Sequence, residues 1–228
     1  MGLFIAGEGG DGSGKGTQMA LLHGYVESLG YNTALESYPR YSQPIAEHVI
    51  RFLNGRYGNP HPELASVPYA LDRLQAKPGI MPYIEDPNGV YVADRFTSSN
   101  LGHNGSKFDT PEERAEFFES QRHFEYNILD IPKPDKNIIL MVPAEVSQEN
   151  IDKKAARDYT EKKRDIHEAD LQHLQKTLES YKALAAMYPE EYELVDCMQT
   201  STRMRTVEDI QDQLREITRG LLGLQRPV

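Results

Sequence analysis

The stretch Gly9-Gly10-Asp11-Gly12-Ser13-Gly14-Lys15-Gly16-Thr17 follows the short apolar run Leu3–Ala6 and leads into a helical pattern that opens at Thr17. Its spacing, G-x-x-x-x-G-K, is typical of a phosphate-binding loop between a strand and a helix. Glycines let backbone N–H groups turn toward a phosphate, and the helix N-terminus adds positive charge. Lys15 is then predicted to hold the outer phosphates of a nucleoside triphosphate. The flanking strand and helix favour this interpretation over a glycine-rich turn without a ligand.

One position of this loop departs from the usual pattern. The residue after Lys15 is normally a serine or threonine whose hydroxyl ligates magnesium, and here it is Gly16. Thr17 follows, and supplies either a hydroxyl group or only a backbone N–H. The sequence therefore predicts nucleotide binding over Gly9–Thr17 and leaves the magnesium ligand open.

Length and composition indicate a globular protein. The 228 residues allow one sizeable core, so we expect a single domain over residues 1–228. No apolar run approaches the ~20 residues needed to span a bilayer, and we expect no membrane association. The net charge of −10 argues against a nucleic-acid binder, which usually carries a basic face. The lone cysteine, Cys197, fits a reducing cytoplasm, where it would serve as a small apolar residue.

Five short apolar runs separated by helical patterns predict an α/β fold, a parallel sheet flanked by helices. The runs are Leu3–Ala6, Thr33–Tyr38, Val90–Ala93, Asn137–Val142 and Tyr192–Val195.

Two capping sequences mark helix starts. Thr110-Pro111-Glu112-Glu113 is a capping box with proline at the first helical position, and predicts a helix to about Ile128. Thr206-Val207-Glu208-Asp209 similarly predicts a last helix that ends near Gly220.

Charged residues follow the second and third apolar runs, where a parallel sheet binds its ligands. Arg40 and Tyr41 come after the second run, and Asp94 and Arg95 after the third. A guanidinium grips phosphate oxygens in a fork, so Arg40, Arg73 and Arg95 are candidates to clamp a second anion. The alternative for each arginine is an ion pair with a surface carboxylate. Asp94 is a candidate magnesium ligand across from the loop, or else a helix cap or a partner of Arg95.

Tyr69 and Arg73 are four residues apart and so lie on one face of a helix. This spacing presents an aromatic plane and a guanidinium to the same flat ligand. The alternative is a core aromatic beside a solvent-facing arginine.

Five motifs occur in a characteristic order: Gly7–Lys15, Tyr38–Tyr41, Tyr69–Arg73, Asp94–Asn100 and Asp165–Glu168. In these motifs the chain resembles the thymidylate kinase family, within the nucleoside monophosphate kinase group. The resemblance implies a P-loop NTPase fold with a small helical lid at about residues 150–166. It also implies ATP as phosphoryl donor, dTMP as acceptor, Mg²⁺ as cofactor and a homodimer.

The resemblance assigns roles to individual residues. Asp11 would contact the acceptor sugar and help hold magnesium, Tyr69 would stack on thymine, and Arg73 would bond the thymine edge. Asn100 offers a donor and an acceptor, which suits the N3–H and carbonyl edge of thymine. Further acceptor contacts are implied at Arg40, Tyr41, Arg95, Ser99, His103 and Asn104. For His103 the alternative is an ordinary surface histidine.

A basic cluster runs from Lys153 to Arg164, inside the implied lid. Such a run is often a solvated face, but a closing lid would bring its charge to the transferring phosphoryl group. Some family members carry an arginine in the loop at the position of Gly12. Since it is absent here, we expect Arg157 and Arg164 to act catalytically together with Lys15, Asp94 and Arg95. Glu168 matches a lid-end glutamate and is a further candidate magnesium ligand.

Several other functions remain open from the sequence. An adenylate kinase shares the Gly-Lys-Gly-Thr ending, but its loop usually has proline where this chain has Asp11. A deoxynucleoside kinase is also possible, but its acceptor carries no phosphate, so it has less need of several arginines that bind anions. A nucleotide-binding switch or a catalytically silent relative would bind ATP without turning it over.

Overall fold

The computed structural model describes residues 1–153 and 171–224. Its centre is a five-stranded, wholly parallel sheet with the order β2-β3-β1-β4-β5. The strands are β1 (Leu3–Gly9), β2 (Asn32–Ser37), β3 (Gly89–Asp94), β4 (Lys136–Met141) and β5 (Tyr192–Asp196). The predicted parallel sheet is therefore confirmed, with strand ends that differ from the predicted ones by at most three residues.

Helices connect the strands and cover the sheet. They are α1 (Lys15–Ser28), α2 (Glu47–Leu53), α3 (Pro62–Ile84), α4 (Thr97–Gly105), α5 (Pro111–Arg122), α6 (Ala144–Lys153), α7 (Leu171–Met187) and α8 (Val207–Leu221). No helix within residues 1–153 and 171–224 has the length and apolarity needed to cross a membrane.

Side chains alternate along each strand, so the sheet buries apolar residues on both faces. Ile5 and Leu140 share one cluster with α1 and α8. Phe4 faces the opposite side in a cluster with α3, and Ile139 packs there against Tyr181 of α7. The alternation fixes the register of the strands and brings their carboxyl ends to one edge.

The helix that the Thr110 capping box predicts begins as expected at Pro111, and both reciprocal hydrogen bonds of the box are present. However, the α-helix gives way at His123 to a π-helical turn, His123–Ile128. The predicted end near Ile128 is correct, while the change of pitch was not predicted. This wider turn places Glu125 in the interior, where it is fully buried.

Candidate active site

A cavity of about 260 Å³ opens where β1, β2 and β3 end. The predicted residues that line it are Asp11, Gly12, Gly14, Lys15, Gly16, Tyr41, Tyr69, Arg73, Asp94, Arg95, Ser99, Asn100, His103 and Asn104. The phosphate-binding loop and the residues expected to hold the acceptor thus share one cavity.

The loop between β1 and α1 has the backbone that its glycines allow. Gly9, Gly12 and Gly14 all have positive φ, a region that side chains with a β-carbon rarely adopt. Lys15 opens α1 and is buried, and its Nζ donates to the carbonyl oxygen of Gly10 at 3.1 Å. The hydrogen bond thus folds Lys15 back across the loop.

Gly12 lies against α6 so closely that no side chain fits. A β-carbon at this position would be 2.2 Å from the carbonyl oxygen of Ser147, which is a backbone atom and cannot rotate away. The side chain of Asn150 also donates to the carbonyl oxygen of Gly12, at 2.9 Å. The chain has no arginine at position 12, and the packing of Ser147 leaves no room for one.

Gly16 faces the carboxylate of Asp94. A β-carbon at residue 16 would lie 3.1 Å from Asp94 Oδ2, so the glycine makes room for this group. The other oxygen, Oδ1, is buried without a hydrogen-bond partner in the part of the chain that the structure describes. Asp94 therefore places Oδ2 beside residue 16, whose hydroxyl usually binds magnesium, and holds Oδ1 buried without a hydrogen-bond partner among the described residues.

Arg95 lines the cavity and has a strained backbone conformation, with φ of 68°. Its N–H donates to the carbonyl oxygen of Gly7 at 2.8 Å, which fixes the residue to β1. The guanidinium pairs with Asp11 and lies 3.2 Å from His103 Nε2. Burial by itself lowers the pKa of Arg95, but the Asp11 carboxylate outweighs this and raises it. Arg95 is thus a permanent cation held ready for an anion.

His103 lies in the cavity rather than on the open surface. Arginine can only donate, so His103 Nε2 accepts from Arg95 and Nδ1 then carries the proton. Nδ1 lies 3.5 Å from Nε2 of His173, on α7. Helix α7 is thus linked to Arg95 indirectly: its His173 contacts His103, and His103 contacts Arg95.

Glu8 is a functional residue that the sequence analysis missed. Its carboxylate accepts hydrogen bonds from the backbone N–H of Phe96 at 2.8 Å and from Ser99 Oγ at 2.6 Å. Burial raises the pKa of Glu8 to about 7, against these hydrogen bonds and the charge of Arg95, which lower it. Glu8 ties the turn that carries Arg95 to β1. It lies two residues beyond the predicted run Leu3–Ala6, in the part of β1 that the apolar pattern did not indicate.

The far end of the cavity holds Tyr69, Arg73 and Asn100. Tyr69 packs edge-on against Phe52 at 6.5 Å between ring centroids. Arg73 is buried and forms a forked ion pair with Glu125, at 2.6 and 2.7 Å. This pair is a second feature that the sequence did not reveal, because Glu125 follows Arg73 by 52 residues.

Not every predicted residue lines the cavity. The guanidinium of Arg40 donates to the buried carboxylate of Asp72 and to the exposed side chain of Gln75, and Arg40 is not among the residues that line the cavity. Thr17 is exposed on the first turn of α1 and is not among the lining residues. Arg157, Arg164 and Glu168 lie outside the described residues.

Comparisons of the sequence and of the fold with known proteins identify the family. The sequence matches the family model described as Thymidylate kinase over residues 8–206. The thymidylate kinase of Mycobacterium tuberculosis is 32% identical over 190 residues, which cover 81% of this chain and 86% of that protein. The thymidylate kinase of Neisseria meningitidis serogroup B is 26% identical over 222 residues, covering 96% and 98%.

A solved structure of thymidylate kinase from Candida albicans superposes with a TM-score of 0.69 and covers 96% of this chain and 92% of that one. At 21% identity this likeness supports the fold alone. The family model and the mycobacterial relative carry the assignment, and they show that this chain belongs to the thymidylate kinase family.

Proposed function

We propose that the chain transfers the γ-phosphoryl group of ATP to the 5′-phosphate of dTMP, giving dTDP and ADP. The observation that carries the proposal is the single cavity in which a phosphate-binding loop faces an aromatic and amide-lined pocket, with Arg95 between them. The family membership reported above supports the same reaction.

Phosphoryl transfer depends on positioning two anionic reactants in line and on neutralising their charge. Gly9–Thr17 and Lys15 would hold the donor phosphates. Tyr69, Arg73 and Asn100 would hold the acceptor base, so that the acceptor phosphate reaches Arg95. Asp11 is paired with Arg95 and would share this guanidinium with the acceptor phosphate.

Mg²⁺ is the proposed cofactor, bound with ATP. The buried, unpartnered Oδ1 of Asp94 fits this role, because carboxylate oxygen is a preferred ligand of the ion. Within residues 1–153 and 171–224 no group of three or more acidic, histidine or cysteine side chains is arranged to hold a metal ion, so ATP oxygens and water would complete the shell. Held by Asp94, Mg²⁺ would supply positive charge against the charge that develops on the phosphates.

The remaining parts of the proposal follow from the resemblance. We infer one domain over residues 1–228, a lid at about 150–166 that brings Arg157 and Arg164 to the phosphoryl group, and Glu168 and Thr17 as further metal contacts. Arg40 would support the acceptor phosphate. A cytoplasmic homodimer that binds neither nucleic acid nor membrane completes the proposal.

A coupled assay of ADP release with ATP, Mg²⁺ and each nucleoside monophosphate in turn tests this function. We expect dTMP to give the highest kcat/KM. Equal rates with AMP and dTMP would favour the adenylate kinase alternative, which nothing in the described residues supports. ATP binding without turnover of any monophosphate would favour the silent relative.

A further inference from the structure

We propose that Glu125, which does not line the cavity, determines the base specificity of this site by fixing the orientation of Asn100 and Arg73. The inference rests on the proposed function and adds to it the reason why a 4-oxo pyrimidine is accepted and a 4-amino pyrimidine is rejected. Glu125 acts here as a positioning residue, through two side chains that do line the cavity.

The Glu125 carboxylate collects hydrogen bonds from several groups in the interior. Arg73 donates through Nε at 2.7 Å and Nη2 at 2.6 Å, and Thr97 Oγ1 donates at 2.7 Å. Asn100 Nδ2 donates at 3.1 Å to Oε1, the oxygen that also accepts from Arg73 Nη2. An ionised carboxylate can only accept, and here all its neighbours donate. The Glu125 charge also raises the pKa of Arg73, although burial by itself lowers it.

This arrangement leaves Asn100 only one orientation. Its Nδ2 donates both to Glu125 and to the backbone carbonyl oxygen of Ser66 at 3.1 Å. If the amide were rotated by half a turn, Oδ1 would face two groups that cannot donate. Asn100 therefore presents an acceptor, Oδ1, to the cavity that it lines.

Arg73 is oriented by the same carboxylate. Because Nε and one N–H of Nη2 donate to Glu125, the donors left to meet a ligand are Nη1, which lies 3.5 Å from the carbonyl oxygen of Phe96, and the second N–H of Nη2. The cavity thus shows a donor from Arg73 beside an acceptor from Asn100. This pattern complements O4 and N3–H of thymine or uracil. It opposes the N4 amino group and bare N3 of cytosine.

Asn104 adds a second acceptor by the same logic. Ser66 Oγ donates to the carbonyl oxygen of Pro62 at 2.9 Å, so it must accept from Asn104 Nδ2 at 3.0 Å. Asn104 Oδ1 is then the end that remains, and it is buried without a partner in the part of the chain that the structure describes. The sequence predicted both asparagines as contacts, but only their neighbours fix which end of each amide a ligand meets.

Glu125→Gln is the test. The new amide places a donor among groups that all donate, so Asn100 is no longer held in one orientation. We expect kcat/KM for dTMP and for dUMP to fall together by at least ~10-fold, while that for dCMP is unchanged or rises. The ratio of dTMP to dUMP should stay the same, because the two bases share this edge.

Thr97→Val is the matched control. It removes one donor to the same carboxylate but leaves Asn100 and Arg73 in place, and we expect it to keep the wild-type preference for dTMP over dCMP. A uniform loss on dTMP, dUMP and dCMP in Glu125→Gln would mean general damage and would overturn the inference. A wild-type preference retained in Glu125→Gln would overturn it as well.

A measurement on the wild-type protein covers the case in which Glu125→Gln fails to fold. The side-chain amide signals of Asn100 can be assigned in ¹⁵N spectra by their loss in Asn100→Ser. Both amide protons should exchange slowly with water before and after dTMP binds, because they are bonded to Glu125 and Ser66. Fast exchange, or direct bonding of these protons to dTMP, would refute the inference. Failure of the wild type to use dTMP at all would instead refute the proposed function.

Discussion

The carbonyl oxygen of Ser147 occupies the space that a β-carbon of Gly12 would need, with a separation of only 2.2 Å. Helix α6 is thereby seated on the phosphate-binding loop, and the chain cannot carry an arginine there. This relationship supports the expectation that cationic help for the phosphoryl group comes from another segment, where Arg157 and Arg164 are the candidates.

Gly12→Ala should destabilise the empty protein by about 1–3 kcal/mol, because the new methyl group overlaps a backbone atom and φ at this position is 79°. Gly10→Ala is the control within the same loop, since a β-carbon there meets no atom within 4 Å. Urea unfolding without nucleotide measures both. Equal stability of the two variants would show that the contact with Ser147 does not constrain the loop.

Asp94→Asn should raise the Mg²⁺ concentration needed for half-maximal velocity by about 10–100-fold, since the unpartnered Oδ1 would lose its charge. Titration calorimetry of dTMP without metal should give the wild-type affinity within twofold. An unchanged Mg²⁺ requirement would remove Asp94 from the metal site. Gly16→Ser and Gly16→Ala form a useful pair, because both crowd Asp94 while only serine offers a hydroxyl.

Lys15→Ala should lower kcat by at least ~100-fold, as the charge over the outer phosphates disappears. The alanine variant should keep its far-ultraviolet circular dichroism and still bind dTMP, whose base lies at the other end of the cavity. Steady-state kinetics and calorimetry test both expectations. A variant with wild-type kcat would exclude Lys15 from the transfer step.

Glu8 should make folding stability depend on pH. Below about pH 4.5 the carboxyl group is protonated in both states, and its full contribution to stability is present. As the pH rises from 4.5 toward 7, the unfolded chain has released a proton that the folded chain still retains, so stability falls; the loss is complete once the folded carboxyl group has ionised, above pH 7.

Between pH 4.5 and 8 the wild type should therefore lose about 3 kcal/mol of unfolding free energy relative to Glu8→Gln. Urea unfolding of both proteins at the two pH values gives the difference, in which the other titrating groups cancel. A difference that does not change with pH would show that Glu8 titrates normally.

The strands and the phosphate-binding loop could be predicted because their signals are local. A run such as Val90–Ala93 is apolar throughout, and the loop is defined by glycine spacing. The same holds for the helix start at Pro111, where the capping box lies within four residues. The structure extends the run at Val90 to Asp94, so that this side chain ends β3 itself.

The acidic partners of the site could not be predicted in the same way. Glu8, Asp72 and Glu125 look like surface residues in a helical or strand pattern, yet all are fully buried. Their partners come from distant parts of the chain, and Glu125 reaches its position through a π-helical turn that no local pattern indicated. Sequence thus predicts which residues surround the cavity, while the acids that orient them emerge only from the packed fold.

The central claim is that both reactants occupy one cavity end to end. Its most direct test is calorimetric titration with a compound in which adenosine and thymidine are joined through a chain of phosphates. We expect one molecule to bind per chain, with ATP and dTMP each competing with it. If dTMP fails to displace the compound, or if two molecules bind per chain, the two reactants do not share this cavity.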